Sequence, residues 1–153
     1  MKALKNIILF SVLTILLPLL GCDKEGEAVQ PSSDPATAQV EILINGGVAW
    51  QSTADLSVMK DGYDVSDQFD DFKITFSENT FETENALPNV WPNQGSWVLD
   101  NNDINKIIRG DGVEMQLELV DNILTLTFQA DAPANGRSQG VAGEYKFVLS
   151  SPE

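Results

Sequence analysis

The chain carries 23 Asp and Glu, a single Cys and no His. Without histidine the commonest general base is missing. The Ser–His and Cys–His nucleophile arrangements and the usual soft-metal ligand go with it. A pair of carboxylates is the remaining catalytic machinery, of the kind that cleaves glycosidic bonds. No spacing singles out one pair among so many, so no enzyme activity is expected and no cofactor is implied. Two acidic stretches offer hard oxygen ligands: Asp61, Asp64, Asp67, Asp70 and Asp71, and then Asp100, Asn102 and Asp103. Neither has the spacing of a calcium-binding loop, and both read as solvated turns. Aromatic side chains are the other candidates, since their faces suit apolar ligands and sugar rings. Trp91 lies between Pro88 and Pro92 in a loop-forming stretch and, with Tyr63, is taken as a ligand-binding candidate. Trp50 and Trp97 share parity with apolar neighbours and are assigned to the core.

The lone cysteine rules out an intrachain disulfide and draws attention to its position. Cys22 ends an apolar run from Ile7 to Leu20, relieved by Ser11, Thr14 and Pro18 and preceded by Lys2 and Lys5. The run is shorter than the ~20 residues that span a bilayer. It fits the apolar region of a secretory signal. Leu19-Leu20-Gly21-Cys22 resembles the lipobox of bacterial lipoproteins. That resemblance implies cleavage between Gly21 and Cys22, diacylglycerol on the Cys22 thiol, and a fatty acyl chain such as palmitate on the new N-terminus. Each buried CH₂ adds ~0.8 kcal/mol, and two or three chains make an anchor stable where one is marginal. An ordinary signal peptide, or an uncleaved anchor, is the other way to read the segment.

Residues 23–38 contain one β-branched aliphatic residue, two prolines that open short polar runs, and no aromatics. They cannot bury enough apolar surface to offset ordering, so a flexible linker is expected. The acidic cluster directly after Cys22 resembles the export signal of surface lipoproteins in Bacteroidota. An Asp in that place in enterobacteria instead favours retention at the inner membrane. Removing residues 1–21 takes Lys2 and Lys5 of the 9 basic residues and none of the acidic ones, so the net charge falls from -14 to -16. Such a field repels phosphate backbones and excludes nucleic acid as a partner. It also disfavours lying flat on anionic lipid, so membrane attachment is expected through the anchor alone.

From Gln39 onward the apolar residues alternate with period two, and helical spacing nowhere persists. Val40, Ile42 and Ile44 predict a strand ended by Asn45-Gly46-Gly47. Trp50, Ala54, Leu56 and Val58 follow on one parity. Residues 60–71 predict a polar loop with one helical turn. Phe72, Ile74 and Phe76 form the next strand, Glu78-Asn79 a turn, and Phe81 marks its partner. Gly95, Trp97 and Leu99 precede a turn at residues 100–103, a strand over 104–108 and a turn at Gly110-Asp111-Gly112. Arg109-Gly110-Asp111 matches the integrin tripeptide, but a tight turn asks for Gly and Asp on backbone grounds alone. The clearest hairpin spans residues 113–129. Asp121-Asn122 tolerates positive φ and makes a two-residue loop. That register pairs Leu119 with Leu124, Leu117 with Leu126 and Met115 with Phe128 on one face. It places Glu118 opposite Thr125 and Gln116 opposite Thr127 on the other. A polar loop over 130–141 leads to a last strand with Tyr145, Phe147 and Leu149 on one parity.

The expected fold is therefore all-β. It is an antiparallel meander of about eight strands closing into a barrel, with a β-sandwich as the alternative. Asp61-Gly62-Tyr63-Asp64-Val65, residues 72–76, Trp91-Pro92 with Gly95-Ser96-Trp97, and residues 124–128 resemble the lipocalin-like domains of small Bacteroidota lipoproteins. The first-strand Gly-x-Trp of true lipocalins is absent. Here Gly95-Ser96-Trp97 lies mid-chain, and Trp50 follows Gly47 by three residues. Three segments are expected: a signal peptide over 1–21, a lipidated N-terminus and linker over 22–38, and a β-barrel domain over 39–153. The resemblance implies an acidic cell-envelope lipoprotein held to the outer membrane or cell surface through Cys22. Its barrel would be non-catalytic and bind a small molecule or glycan. The alternative is a structural or partner-binding protein with a filled barrel, and behind it a carboxylate-dependent hydrolase.

Overall fold

A computed structural model describes residues 34–52, 57–132 and 140–151. The expected signal peptide, Cys22, most of the expected linker, Ala54, Leu56 and most of the 130–141 loop lie outside these residues. The chain is divided after Ser32, and the second unit, from Ser33 onward, is the barrel.

Among the described residues, ten strands follow one short α-helix. They are β1 (Trp50–Gln51), β2 (Val58–Lys60), β3 (Tyr63–Asp64), β4 (Lys73–Phe76), β5 (Thr80–Glu84), β6 (Gln94–Asp100), β7 (Asp103–Arg109), β8 (Glu114–Val120), β9 (Ile123–Ala130) and β10 (Gly143–Ser150). Each of β4 to β10 pairs antiparallel with the next, and β1 pairs with both β4 and β10. Eight strands thus close into a lipocalin-like barrel, which settles the choice against a sandwich and leaves the ring without a free edge. The hairpin β2–β3 adds to the same edge of β10, with Val58 opposite Phe147 and Lys60 opposite Tyr145.

Alternation along the strands fills the barrel. Met115 and Leu117 of β8, Leu124, Leu126 and Phe128 of β9, and Tyr145, Phe147 and Leu149 of β10 are all buried. The β8–β9 register is the one expected, from Met115 opposite Phe128 to Val120 opposite Ile123. Asp121 and Asn122 adopt φ of 48° and 62°, the double positive φ that matches a two-residue turn to the twist of its strands. Trp50 and Trp97 are buried as expected. Their indole N–H groups donate to Leu43 O at 2.9 Å, and to Ser77 O and Thr80 O at 3.0 Å. The helical turn expected within residues 60–71 is a 3₁₀ turn over Ser66–Phe69 that drives Phe69 into the core.

The expected strand at Val40, Ile42 and Ile44 is instead an α-helix, α1 (Pro35–Ile44). Val40, Leu43 and Ile44 also fit helical spacing, and so short an apolar run satisfies both periods. Pro35 supplies a helix-ready φ at the first position. Asn45, Gly46 and Gly47 end it with three successive positive φ values. Tertiary contact then decides for the helix: Leu43 is fully buried, its carbonyl takes the Trp50 indole N–H, and Val40 packs on the core. The helix takes in Pro35 to Ala38, which composition had assigned to the linker.

Candidate functional site

The strand directions define two barrel ends. The β4–β5, β6–β7 and β8–β9 turns and the end of β10 lie at one, together with α1. The β2–β3 and β7–β8 turns and the β5–β6 connection lie at the other.

Trp91 belongs to that second end, in the β5–β6 connection. There Leu87 O accepts from the backbone N–H groups of Val90 and Trp91, both at 2.8 Å. This small turn carries both side chains inward, and each is 1% exposed. The Trp91 ring meets Phe128 at 5.1 Å between centroids, Phe81 at 5.7 Å, Phe147 at 5.8 Å and Phe72 at 6.2 Å. Trp91 was expected in a proline-flanked loop as a ligand-binding candidate. It is an interior wedge, because its apolar body gains more from the ring cluster than proline-bounded backbone loses by folding inward. Its indole Nε1 has no hydrogen-bond partner, the only such buried side-chain atom among the described residues. That orphan donor costs about 1–3 kcal/mol.

Arg109 completes the wedge. Its guanidinium stands 5.2 Å from the Trp91 ring and 5.7 Å from the Phe128 ring. Nη1 donates to Val90 O at 3.1 Å, while Nε and Nη2 hold the Asp111 carboxylate in a fork at 2.8 Å. The guanidinium beside it holds the Asp111 carboxyl below the usual carboxylate range, chiefly through these hydrogen bonds. The Arg-Gly-Asp tripeptide is thus closed on itself: its arginine is 7% exposed and clamps its own aspartate.

Tyr63 is 77% exposed on β3. The structure does not unite it with Trp91; one is on the surface and the other inside. Beside its hairpin, Asp61 and Glu144 bind reciprocally: Glu144 N–H donates to Asp61 Oδ1 at 2.9 Å and Asp61 N–H to Glu144 O at 2.8 Å. Tyr145 below them has its phenol raised by burial and by the Asp61 charge.

The acidic stretches cap their own turns. Asp64 accepts from Ser66, Asp100 from Asn102 N–H and Asp103 from Asn105 N–H. Lys106 reaches Asp100 at 2.8 Å and Glu114 at 3.3 Å. Among the described residues, no three His, Cys, Asp or Glu side chains converge to hold a metal ion, and no helix is long and apolar enough to cross a membrane.

The described residues form several surface concavities, two of which bear on the site. A polar groove of about 230 Å³ runs over β4–β6, lined by Lys73, Glu82, Glu84 and Gln94 among others. A larger cleft of about 730 Å³ opens where the start of α1 meets the β4–β5 and β6–β7 turns. Pro35, Val40, Leu99 and Ile104 give it apolar walls, and Asp34, Glu78 and Asp100 an acidic rim.

No known protein family, curated protein or solved structure matches the chain.

The sequence reading missed Arg109, whose tripeptide it placed in a turn. The signal was parity: Arg109 follows Ile107 by two residues and so faces inward with it. In the β6–β7 register it lies opposite the buried Trp97.

Proposed function

We propose that this is a lipid-anchored envelope lipoprotein whose barrel is a filled, non-catalytic body acting through its surface, as a structural or partner-binding element. The observation that carries the proposal is the Trp91–Arg109 wedge. A carrier of small molecules or glycans needs a cavity of ~300 Å³ or more with a few convergent polar groups. Here the rings of Phe72, Phe81, Phe128 and Phe147 close on Trp91 from inside, and Arg109 seals it against Val90. The two concavities described above lie on the outer surface.

The anchoring half of the proposal rests on Leu19-Leu20-Gly21-Cys22, on the apolar run before it, and on Cys22 being the sole cysteine. The acidic residues directly after Cys22 favour the outer membrane or cell surface of a bacterium of the Bacteroidota type.

Intact mass of the protein from its native host tests the anchor. The expected product lacks residues 1–21 and carries diacylglycerol and an acyl chain on Cys22; an unmodified Cys22 thiol overturns the reading. Tryptophan emission and thermal melting with a fatty acid and with short oligosaccharides test the filled barrel. No saturable change is expected, and a saturable rise in melting temperature restores the carrier.

A further inference from the structure

The large apolar side chains left on the surface are unevenly distributed. Among the described residues Val98, on the outer wall of β6, is 56% exposed, Val120 54%, Ile42 47%, Val48 42%, and Ile104 and Ile123 39% each. All but Val98 sit at the α1 end. Ile42 lies on the outer side of α1, one residue before the buried Leu43. Val48 follows the helix, Ile104 follows the β6–β7 turn, and Val120 and Ile123 flank the β8–β9 turn. Hydrogen bonds hold these positions together: Asn45 Nδ2 donates to Ser151 Oγ at 2.7 Å, and Ser151 N–H to Asn122 O at 3.3 Å. Among the described residues, the opposite end shows Tyr63 as its large exposed apolar group.

Charge at the α1 end is acidic, with Glu41 and Asp121 exposed, while Lys106 is held by Asp100. The described chain also begins at this end, with Asp34 leading into α1. Eleven residues, 23–33, separate Cys22 from the start of the described chain at Asp34. Fully extended, they cover at most about 40 Å.

We infer that the α1 end is a docking surface for the lipid bilayer, with Ile42, Val48, Val120 and Ile123 entering its interface. The inference rests on the proposed acylation of Cys22. Chains held in the bilayer at Cys22 keep this end at high effective concentration beside it. Aliphatic contacts too weak to bind alone then hold the barrel down. The acidic rim selects zwitterionic over anionic headgroups. Tyr63 and the β2–β3 turn face away, toward partners.

Acylation of Cys22 makes any introduced cysteine the only free thiol of the full-length protein. Val48→Cys, Val120→Cys and Tyr63→Cys, each carrying an environment-sensitive fluorophore, are reconstituted in phosphatidylcholine vesicles containing spin-labelled lipid. Probes at 48 and 120 should shift to the blue and lose about half their emission or more, as expected for side chains within the interface. The probe at 63 should not change, and phosphatidylglycerol should weaken the quenching. Introducing Ile123→Asp, a surface change that leaves the barrel intact, should reduce quenching at 48. Protein that fails to float with the vesicles overturns the anchor itself. Protein that floats but shows equal emission at 48, 120 and 63 overturns the docking while leaving the anchor standing. Shielding at 120 in cells but not on vesicles assigns the surface to a protein and also overturns it.

Discussion

At the α1 end of the barrel the stopper is a ten-residue helix laid across the mouth. At the other end it is one tryptophan pushed inward from the β5–β6 connection and pinned by an arginine. The helix covers the mouth from outside, meeting the core through Leu43 and Val40, and leaves Ile42 toward solvent. Trp91 enters the core itself and leaves nothing outside. An external cap therefore keeps a second, apolar face available for contact, whereas an internal plug buries its apolar surface in the core. The two devices should also differ in energy, because one ring in a cluster carries more buried area than one aliphatic contact.

Trp91→Ala tests the internal plug and should have the largest effect. It removes a fully buried indole from a cluster of four phenylalanines and takes the ring from under Arg109. A loss of about 3–5 kcal/mol is expected, read by urea unfolding at constant m-value. Trp91→Phe should lose much less, since it keeps a ring and deletes the unpartnered N–H. A loss under about 1 kcal/mol for the alanine variant would mean that the interior is not packed around Trp91.

Leu43→Ala tests the external cap. Leu43 is fully buried, but it lies at the end of a helix that can shift against the barrel. About 2–3 kcal/mol is expected, at the lower end for a buried leucine because the site can partly collapse. The Trp50 hydrogen bond to the Leu43 carbonyl should survive, since it uses backbone. Far-UV circular dichroism should show the barrel unchanged, and amide exchange should rise over residues 35–44 before any strand opens.

The same contrast explains what was legible in the sequence. The register of β8 against β9 was readable to the residue, since alternation and the Asp121-Asn122 turn fix one register and any slip inverts both faces, and β10 was readable in its parity. Helix α1 was not, because ten residues with few apolar positions satisfy both periods and only contact with Trp50 and the core chooses between them. Trp91 was placed in its loop, but the inward direction of its ring was not read. Local sequence sets the turn around Pro88 and Pro92, whereas the pull inward comes from Phe72, just before β4, and from rings on β5, β9 and β10. Arg109 was hidden by a motif that ends in a turn, although its parity with Ile107 was visible. Non-local packing decided each of these cases.

Each end also carries one perturbed carboxylate, and these separate the devices by pH. Asp111, under Arg109, is held below the usual carboxylate range first by the side-chain hydrogen bonds from the guanidinium. Asp100, beside the α1 cleft, is held down first by its hydrogen bond to Lys106. A carboxylate whose folded pKa is depressed contributes stability above its unfolded value, ~3.9 for Asp, and loses it as pH falls through the folded value. Both contributions should therefore be intact at pH 7 and disappear below about pH 4. Their weights should differ. Asp100 shares Lys106 with Glu114, so the lysine keeps a partner without it, whereas Asp111 neutralises an arginine that is 7% exposed. Asp111→Asn keeps shape but leaves that guanidinium buried without its counter-charge. Because the Asp111 side chain is itself 50% exposed, solvent screens the loss to about 1–2 kcal/mol. Asp100→Asn should cost less. Urea midpoints from pH 7 down to pH 3 should show the wild type and Asp111→Asn converging as Asp111 takes up its proton. Parallel curves at a constant offset would mean that Asp111 acts through shape rather than charge, and that the arginine plug needs no counter-ion.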